Sequence, residues 1–143
     1  MNDDVISIQA SRRVLVVDDS PTMRKIVRKV LGAEGSSVEL VEAQNGCAAL
    51  QLIDNGAFDL VFLDYNMPGF SGLDTLEKIK RAYPRLGVVI MTSTSDGLDA
   101  DRARAAGANG FLKKPFYPAD INTILEQIDS ARKSQRSAGQ PAV

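Results

Sequence analysis

The chain has 143 residues, 44% of them hydrophobic, which suits one domain with its own core. The 17 lysines and arginines almost balance the 18 aspartates and glutamates, so we expect no basic surface for nucleic acid. Histidine is absent, which excludes histidine acid–base chemistry, histidine metal ligands and phosphohistidine on this chain. Any chemistry must therefore depend on carboxylates, hydroxyls and lysine.

The N-terminal residues 1–11 contain no long apolar stretch, so they do not resemble a secretory signal, and we expect a flexible segment. No apolar run elsewhere is long enough to span a membrane. The one cysteine, Cys47, cannot form an internal disulfide, and the sequence predicts a small buried or half-buried thiol on a helix. These features favour a reducing cytoplasm.

Five short apolar runs are the predicted strands. They are Val14–Val17, Val38–Val41, Leu60–Leu63, Val88–Met91 and Phe111–Leu112. Three of them are unbroken apolar runs, which is typical of parallel strands covered on both faces. The second run is interrupted by Glu39, and this alternation predicts an edge strand.

Helical patterns follow each of these runs. The first has an amphipathic stripe from Met23 to Leu31, with Ser20 as the predicted N-cap and Pro21 in the first turn. The other predicted helices lie around Ala48–Ile53, Leu73–Ile79, Asp99–Ala106 and Ile121–Ile128. The segment Asp99–Ala106 has the weakest apolar stripe. Residues 133–143 are rich in Ser, Gly, Pro and Gln, which predicts a disordered tail after a domain of residues 12–132.

The alternation of strands and helices predicts an α/β fold, with a doubly wound parallel sheet and right-handed crossovers. Ligands of such sheets bind beyond the carboxyl ends of the strands. The polar residues at those ends are Asp18, Asp19, Asp64, Thr92, Ser93, Lys113 and Lys114. Three carboxylates gathered there would repel one another unless a cation lies among them, and oxygen ligands without His or Cys select a hard ion such as Mg²⁺.

Such a cluster suits phosphoryl transfer to an aspartate, which can act as a nucleophile and form an acyl phosphate. A lysine and a hydroxyl would then contact the phosphoryl oxygens. Each residue alone has a plain alternative, since acidic residues after strands often cap helices and a lysine before proline is usually on the surface. Their coincidence at successive strand ends is far more specific.

Other classes of protein fit less well. Phosphatases with an aspartate nucleophile carry it in an Asp-x-Asp pattern after the first strand, whereas here Asp18 and Asp19 are followed by Ser-Pro-Thr. Flavin and dinucleotide sites need a Ser/Thr/Gly-rich or Gly-x-Gly-x-x-Gly loop at that place, and neither is present. A domain that only docks, without phosphorylation, is also disfavoured because every position of the cluster is filled.

Four segments carry a resemblance to a known family. Val14–Arg24, Leu63–Gly69, Met91–Ser93 and Gly107–Phe116 resemble the receiver domain of two-component response regulators, and most of all its free-standing chemotaxis type. The resemblance covers residues 12–132. It implies a flavodoxin-like (βα)5 fold with strand order 2-1-3-4-5, which agrees with the predicted edge position of the second strand.

The resemblance also implies roles for individual residues. Asp64 matches the phosphoacceptor, Asp19 the direct ligand of Mg²⁺, and Asp18 the acid that acts through a metal-bound water. Asn66 matches the position whose backbone carbonyl completes the metal shell. Thr92 matches the hydroxyl that engages the phosphoryl group and acts as a switch.

The family's lysine immediately precedes a proline, and so it matches Lys114 rather than Lys113. Strand parity supports this, since Leu112 and Lys114 share one side of the strand. The peptide bond to Pro115 would be cis by resemblance. Two positions depart from the usual pattern: the aromatic switch position, often tyrosine, is Phe111, and the small neutral Thr94 flanks the path of the hydrolytic water.

The resemblance implies a signalling switch, not an enzyme, that catalyses only its own phosphorylation and dephosphorylation. Its partners would be a histidine kinase or histidine phosphotransfer protein and a separate output protein, since no output domain follows Arg132. We expect the output protein to bind the face of the fourth helix, fifth strand and fifth helix. We expect a monomer that binds neither nucleic acid nor membranes. A phosphorelay shuttle that passes the phosphoryl group on to a histidine phosphotransfer protein is the alternative.

Overall fold

The computed structural model of the chain describes residues 12–33, 38–67, 71–93, 98–114 and 116–139, with the backbone alone at residues 32, 33 and 131–139. The N-terminal segment, residues 94–97 with Thr94, and Pro115 with its peptide bond lie outside the described residues. Predictions for those positions therefore stay predictions.

Five parallel strands form one sheet. They are β1 (Arg12–Val17), β2 (Val38–Ala43), β3 (Leu60–Asp64), β4 (Gly87–Ser93) and β5 (Gly110–Lys114). Their order in the sheet is β2-β1-β3-β4-β5, with every neighbouring pair parallel. This order confirms the prediction, including β2 as an edge strand.

Five helices connect and cover the strands. They are α1 (Pro21–Ala33), α2 (Gly46–Asn55), α3 (Gly72–Ala82), α4 (Ala100–Ala105) and α5 (Pro118–Gly139). Helix α1 begins at Pro21 as predicted, and the Met23 N–H donates to Ser20 Oγ at 3.3 Å. Helix α5 passes the predicted boundary at Arg132 and continues to Gly139, because Ala, Lys, Gln and Arg in this stretch favour a helix. The disorder predicted from residue 133 is therefore corrected for residues 133–139.

The sheet separates two apolar layers, as the unbroken apolar runs predict. Alternate residues of β1 enter them: Leu15 and Val17 pack in the layer with α2, α3 and α4, whereas Val14 and Val16 pack in the layer with α1 and α5. All four side chains are fully buried. The covered sheet leaves the carboxyl ends of its strands as the place where polar side chains can gather. Among the described residues, no helix is long and apolar enough to cross a membrane.

Cys47 lies on α2 but is exposed, so the predicted buried or half-buried thiol is wrong. The buried residues of this helix are Gly46, Ala49 and Ile53. Cys47 lies two positions before Ala49, which corresponds to a rotation of about 200° around the helix axis. Its side chain therefore lies on the side of α2 opposite to Ala49.

Candidate functional site

The site is built by the carboxyl ends of β1, β3 and β5. Asp18 directly follows β1 and is fully buried, and Asp64 ends β3 with 3% of its surface exposed. Val17 pairs with Leu63 across the two central strands, so the next residue of each strand arrives at the same edge of the sheet. Two carboxylates are thus held side by side by the register of the strands.

A third carboxylate completes an acidic cluster. One carboxylate oxygen from each of Asp18, Asp19 and Asp64 lies within 4.8 Å of the others. Asp19 is exposed, so the cluster opens to solvent on that side. Asn66 lies beside it, with its N–H 3.4 Å from Asp64 Oδ1. This set of oxygen donors fits Mg²⁺, which prefers carboxylates and carbonyls and keeps several waters.

Lys114 bridges the two buried carboxylates. Its Nζ lies 3.1 Å from Asp18 Oδ2 and 3.1 Å from Asp64 Oδ1. Lys113, the adjacent candidate, is exposed. Lys114 ends β5 two residues after the buried Leu112, so the strand places its side chain over the same layer, as parity predicts.

Burial and crowding of charge alter the ionisation of the cluster. Burial, and then the negative charge of Asp18, raise the pKa of Asp64 from 3.8 to about 6, although Lys114 opposes this. Burial acts to lower the pKa of Lys114, but the carboxylates of Asp18 and Asp64 outweigh it and raise that pKa. The cluster therefore holds a charged ammonium and still carries excess negative charge, which a bound cation would neutralise.

Thr92 and Phe111 lie on the neighbouring strands β4 and β5. Thr92 is fully buried, and its hydroxyl donates to the Ser93 carbonyl oxygen at 3.3 Å. Phe111 pairs with Ile90 in the ladder and is half-buried against the α2–α4 layer.

Two supporting residues were not identified from the sequence. A Cβ on Gly72 would lie 2.4 Å from Tyr65 Cα and 2.6 Å from the Asp64 carbonyl oxygen, so only glycine lets α3 start against the backbone that follows β3. The Gly72 N–H also donates to the Tyr65 carbonyl oxygen at 2.8 Å. The sequence signal that could have identified Gly72 is its position directly after the N-cap Ser71. The other residue is Arg24, whose contacts with β2 depend on tertiary structure.

Comparison with known proteins agrees with this geometry. The sequence profile of the response regulator receiver domain matches residues 14–126. The chemotaxis protein CheY-3 of Vibrio cholerae is 35% identical over 123 residues, covering 85% of this chain and 94% of that protein. The chemotaxis protein CheY of Pseudomonas aeruginosa is 33% identical over 118 residues, covering 81% and 94% of the two chains.

Solved structures are similar as well. CheY4 of Vibrio cholerae superposes with a TM-score of 0.73 at 28% identity, covering 83% of this chain and 99% of that one. NtrX of Brucella abortus superposes with a TM-score of 0.81 at 31% identity, covering 90% of this chain but 29% of that longer protein. The similarity therefore extends over the whole sheet and includes the strand ends that carry the site.

Proposed function

Because the chain belongs to the response-regulator receiver family, we propose that it accepts a phosphoryl group on the Asp64 carboxylate and signals through altered protein binding. The donor would be a histidine kinase or a histidine phosphotransfer protein. The observation that carries this proposal is the Lys114 ammonium, 3.1 Å from both buried carboxylates, beside the exposed Asp19. A structural ion pair needs one carboxylate, whereas this arrangement leaves surplus negative charge facing solvent.

Asp64 is the proposed nucleophile because it matches the phosphoacceptor position of the family and its carboxylate belongs to the acidic cluster. One of its oxygens attacks phosphorus while the bond from phosphorus to the donor atom breaks, and the electron pair of that bond leaves with the donor. With a pKa of about 6, Asp64 is mostly ionised at neutral pH, as a nucleophile requires. Lys114 then donates to an oxygen of the transferred group.

We propose that the carboxylates of Asp18, Asp19 and Asp64 form the Mg²⁺ site, together with the backbone carbonyl of Asn66. Bound Mg²⁺ would neutralise the carboxylates and the oxygens of the phosphoryl group. Asp19 presents its carboxylate to solvent and suits a direct ligand. The buried Asp18 already accepts from Lys114 Nζ and from the Ser20 N–H, which suits a role through a metal-bound water.

We propose that Thr92 and Phe111 transmit the change to the face formed by α4, β5 and α5, where a separate output protein would bind. On phosphorylation the Thr92 hydroxyl would exchange the Ser93 carbonyl for a phosphoryl oxygen. Phe111 could then enter the space that is vacated, with at most about 1.5–3 kcal/mol from burial of its ring. Because Phe111 is already half-buried, this gain should be smaller than for a fully exposed ring.

The proposal is tested by incubating the protein with acetyl phosphate and measuring its intact mass. We expect a phosphoryl adduct on the wild type in the presence of MgCl₂, and loss of the adduct with EDTA or in Asp64→Asn. Asp59→Asn, a substitution at the amino end of β3, is the matched control and should keep the adduct. An equal adduct in Asp64→Asn would contradict the assignment of the acceptor.

A further inference from the structure

Arg24 lies on α1 behind the acidic cluster and contacts two different elements. Its Nη1 donates to the backbone carbonyl oxygen of Asp18 at 2.7 Å, and its Nε donates to Glu42 Oε1 on β2 at 2.8 Å. Only 12% of the Arg24 side chain is exposed. The guanidinium therefore joins the edge strand to the peptide group between Asp18 and Asp19.

Glu42 is held firmly on the other side. Arg28 donates to Glu42 Oε2 from Nε at 2.9 Å and from Nη2 at 2.6 Å. Hydrogen bonds from Arg28 and then Arg24 lower the pKa of Glu42, so this carboxylate stays ionised at neutral pH. Glu42 is thus a fixed acceptor, and it orients the planar guanidinium of Arg24 toward the Asp18 carbonyl.

Asp18 makes two further hydrogen bonds, one through its backbone and one through its side chain. Its N–H donates to the Ala43 carbonyl oxygen at 3.1 Å, and its Oδ1 accepts from the Ser20 N–H at 2.9 Å. The carbonyl of the Asp18–Asp19 peptide link accepts its hydrogen bond from the Arg24 side chain, so the orientation of this peptide depends on Arg24. Rotation of this peptide would turn the Asp19 carboxylate, which comes next in the chain, away from Asp18 and Asp64.

We propose that Arg24 is a positioning residue, which fixes the Asp18–Asp19 peptide so that the carboxylates of the cluster face one cation. This inference rests on the proposed function of the cluster as a Mg²⁺ site. A plain alternative is a surface ion pair with Glu42. Arg28 represents that case, since its side chain is 52% exposed and pairs with Glu42.

The two roles predict opposite effects on Mg²⁺ binding. Removal of a positive charge near a cation site strengthens cation binding if the arginine acts only through its charge. Removal of a group that orients the ligands weakens it, and outer contacts of metal ligands commonly change affinity by roughly 10- to 100-fold. The sign of the change therefore separates positioning from simple electrostatics.

The test is a titration of isotope-labelled protein with MgCl₂, followed through backbone amide shifts that also report whether each variant is folded. We expect Arg24→Ala to bind Mg²⁺ about tenfold more weakly than the wild type, and Arg24→Lys to recover part of the loss because lysine can still reach an acceptor. Lys25→Ala, the matched control, removes one positive charge from the exposed face of the same helix and should bind Mg²⁺ as tightly as the wild type or slightly more tightly.

Equal or tighter binding by Arg24→Ala would overturn the positioning role while leaving the Mg²⁺ site itself intact. If the wild type fails to bind Mg²⁺, the proposed function fails and this inference falls with it. Should Arg24→Ala not fold, Glu42→Ala replaces it, because this change leaves Arg24 without its anchor. We then expect Glu42→Ala to bind Mg²⁺ more weakly than Glu39→Ala, which removes the same negative charge from the exposed surface of β2. Equal binding by these two variants would overturn the inference.

Discussion

At the scale of single residues, the main feature is a carboxylate that is buried next to another carboxylate. Asp64 is buried beside the fully buried Asp18, and one lysine serves both side chains. A burial of this kind raises the free energy of the ionised form and so reduces stability in the absence of a cation. Sites that destabilise the resting protein in this way are commonly maintained for function.

The first prediction concerns pH. Since the folded pKa of Asp64 is about 6 and its ordinary value is 3.8, the stabilisation from its protonated form is present below 3.8 and lost as pH rises through 6. With EDTA present, Asp64→Asn should exceed the wild type in free energy of unfolding by up to ~3 kcal/mol at pH 7.5, and by much less at pH 4.

Urea unfolding at the two pH values measures this difference. Asp101→Asn, on the exposed surface of α4, is the control and should show little dependence on pH relative to the wild type. If the difference in free energy of unfolding between Asp64→Asn and the wild type instead grows toward acid pH, the predicted direction of the pH dependence is wrong.

The second prediction separates the adjacent lysines. Lys114→Ala leaves two buried carboxylates without their shared cation, so its free energy of unfolding at neutral pH should fall by roughly 3 kcal/mol. Lys113→Ala removes an exposed charge and should stay within about 0.5 kcal/mol of the wild type. Lys114→Ala should still be phosphorylated by acetyl phosphate. On phosphorylation, its amide shifts between Thr92 and Phe116 should change less than those of the wild type. If Lys113→Ala is the damaging change, the assignment of Lys114 fails.

At the scale of elements, α4 differs from the other helices. It has six residues, and Ala103 is its one buried side chain. Leu98, which precedes it, is buried, and Asp99 caps it by accepting from the Arg102 N–H at 2.8 Å. Little apolar surface therefore holds α4 on the sheet, as its weak apolar stripe predicts, and such elements have low local stability.

The third prediction follows from this weakness. We consider the amide shifts on addition of a beryllofluoride phosphoryl mimic, leaving aside the loops that follow β1 and β3. The largest changes should fall between Thr92 and Phe116, since α4 is the element most easily displaced. Hydrogen exchange should likewise be faster in α4 than in α3. Changes concentrated on α1, between Met23 and Val30, would place the response elsewhere and favour the phosphorelay shuttle.

At the scale of the whole molecule, the parallel sheet was predictable because it depends on local patterns, whereas its strand order was implied by the family resemblance and agreed with the predicted edge position of β2. Unbroken apolar runs such as Leu60–Leu63 identify strands buried on both faces, and helices between them require parallel crossovers. The cluster of Asp18, Asp19 and Asp64 was predictable for the same reason, because parallel strands bring their carboxyl ends to one edge.

Other features depend on distances that a sequence pattern does not contain. Arg24 meets Glu42 from 18 positions away, through the register of β2 against β1 and the tilt of α1. The close approach of Gly72 to the Asp64–Tyr65 backbone depends on where α3 begins. Cys47 was misplaced because the Ala-rich first turn of α2 leaves the buried side of the helix undetermined. These are tertiary effects, and no local periodicity reports them.

The central claim is that Asp64 is the residue phosphorylated. The most direct measurement is reduction of the acetyl phosphate-treated protein with borohydride, followed by peptide mass mapping, because borohydride converts an aspartyl phosphate into homoserine and leaves free carboxylates unchanged. We expect homoserine at position 64 of the wild type when Mg²⁺ was present during phosphorylation. Homoserine at position 18 or 19, or none in a sample that carries the adduct, would contradict the claim.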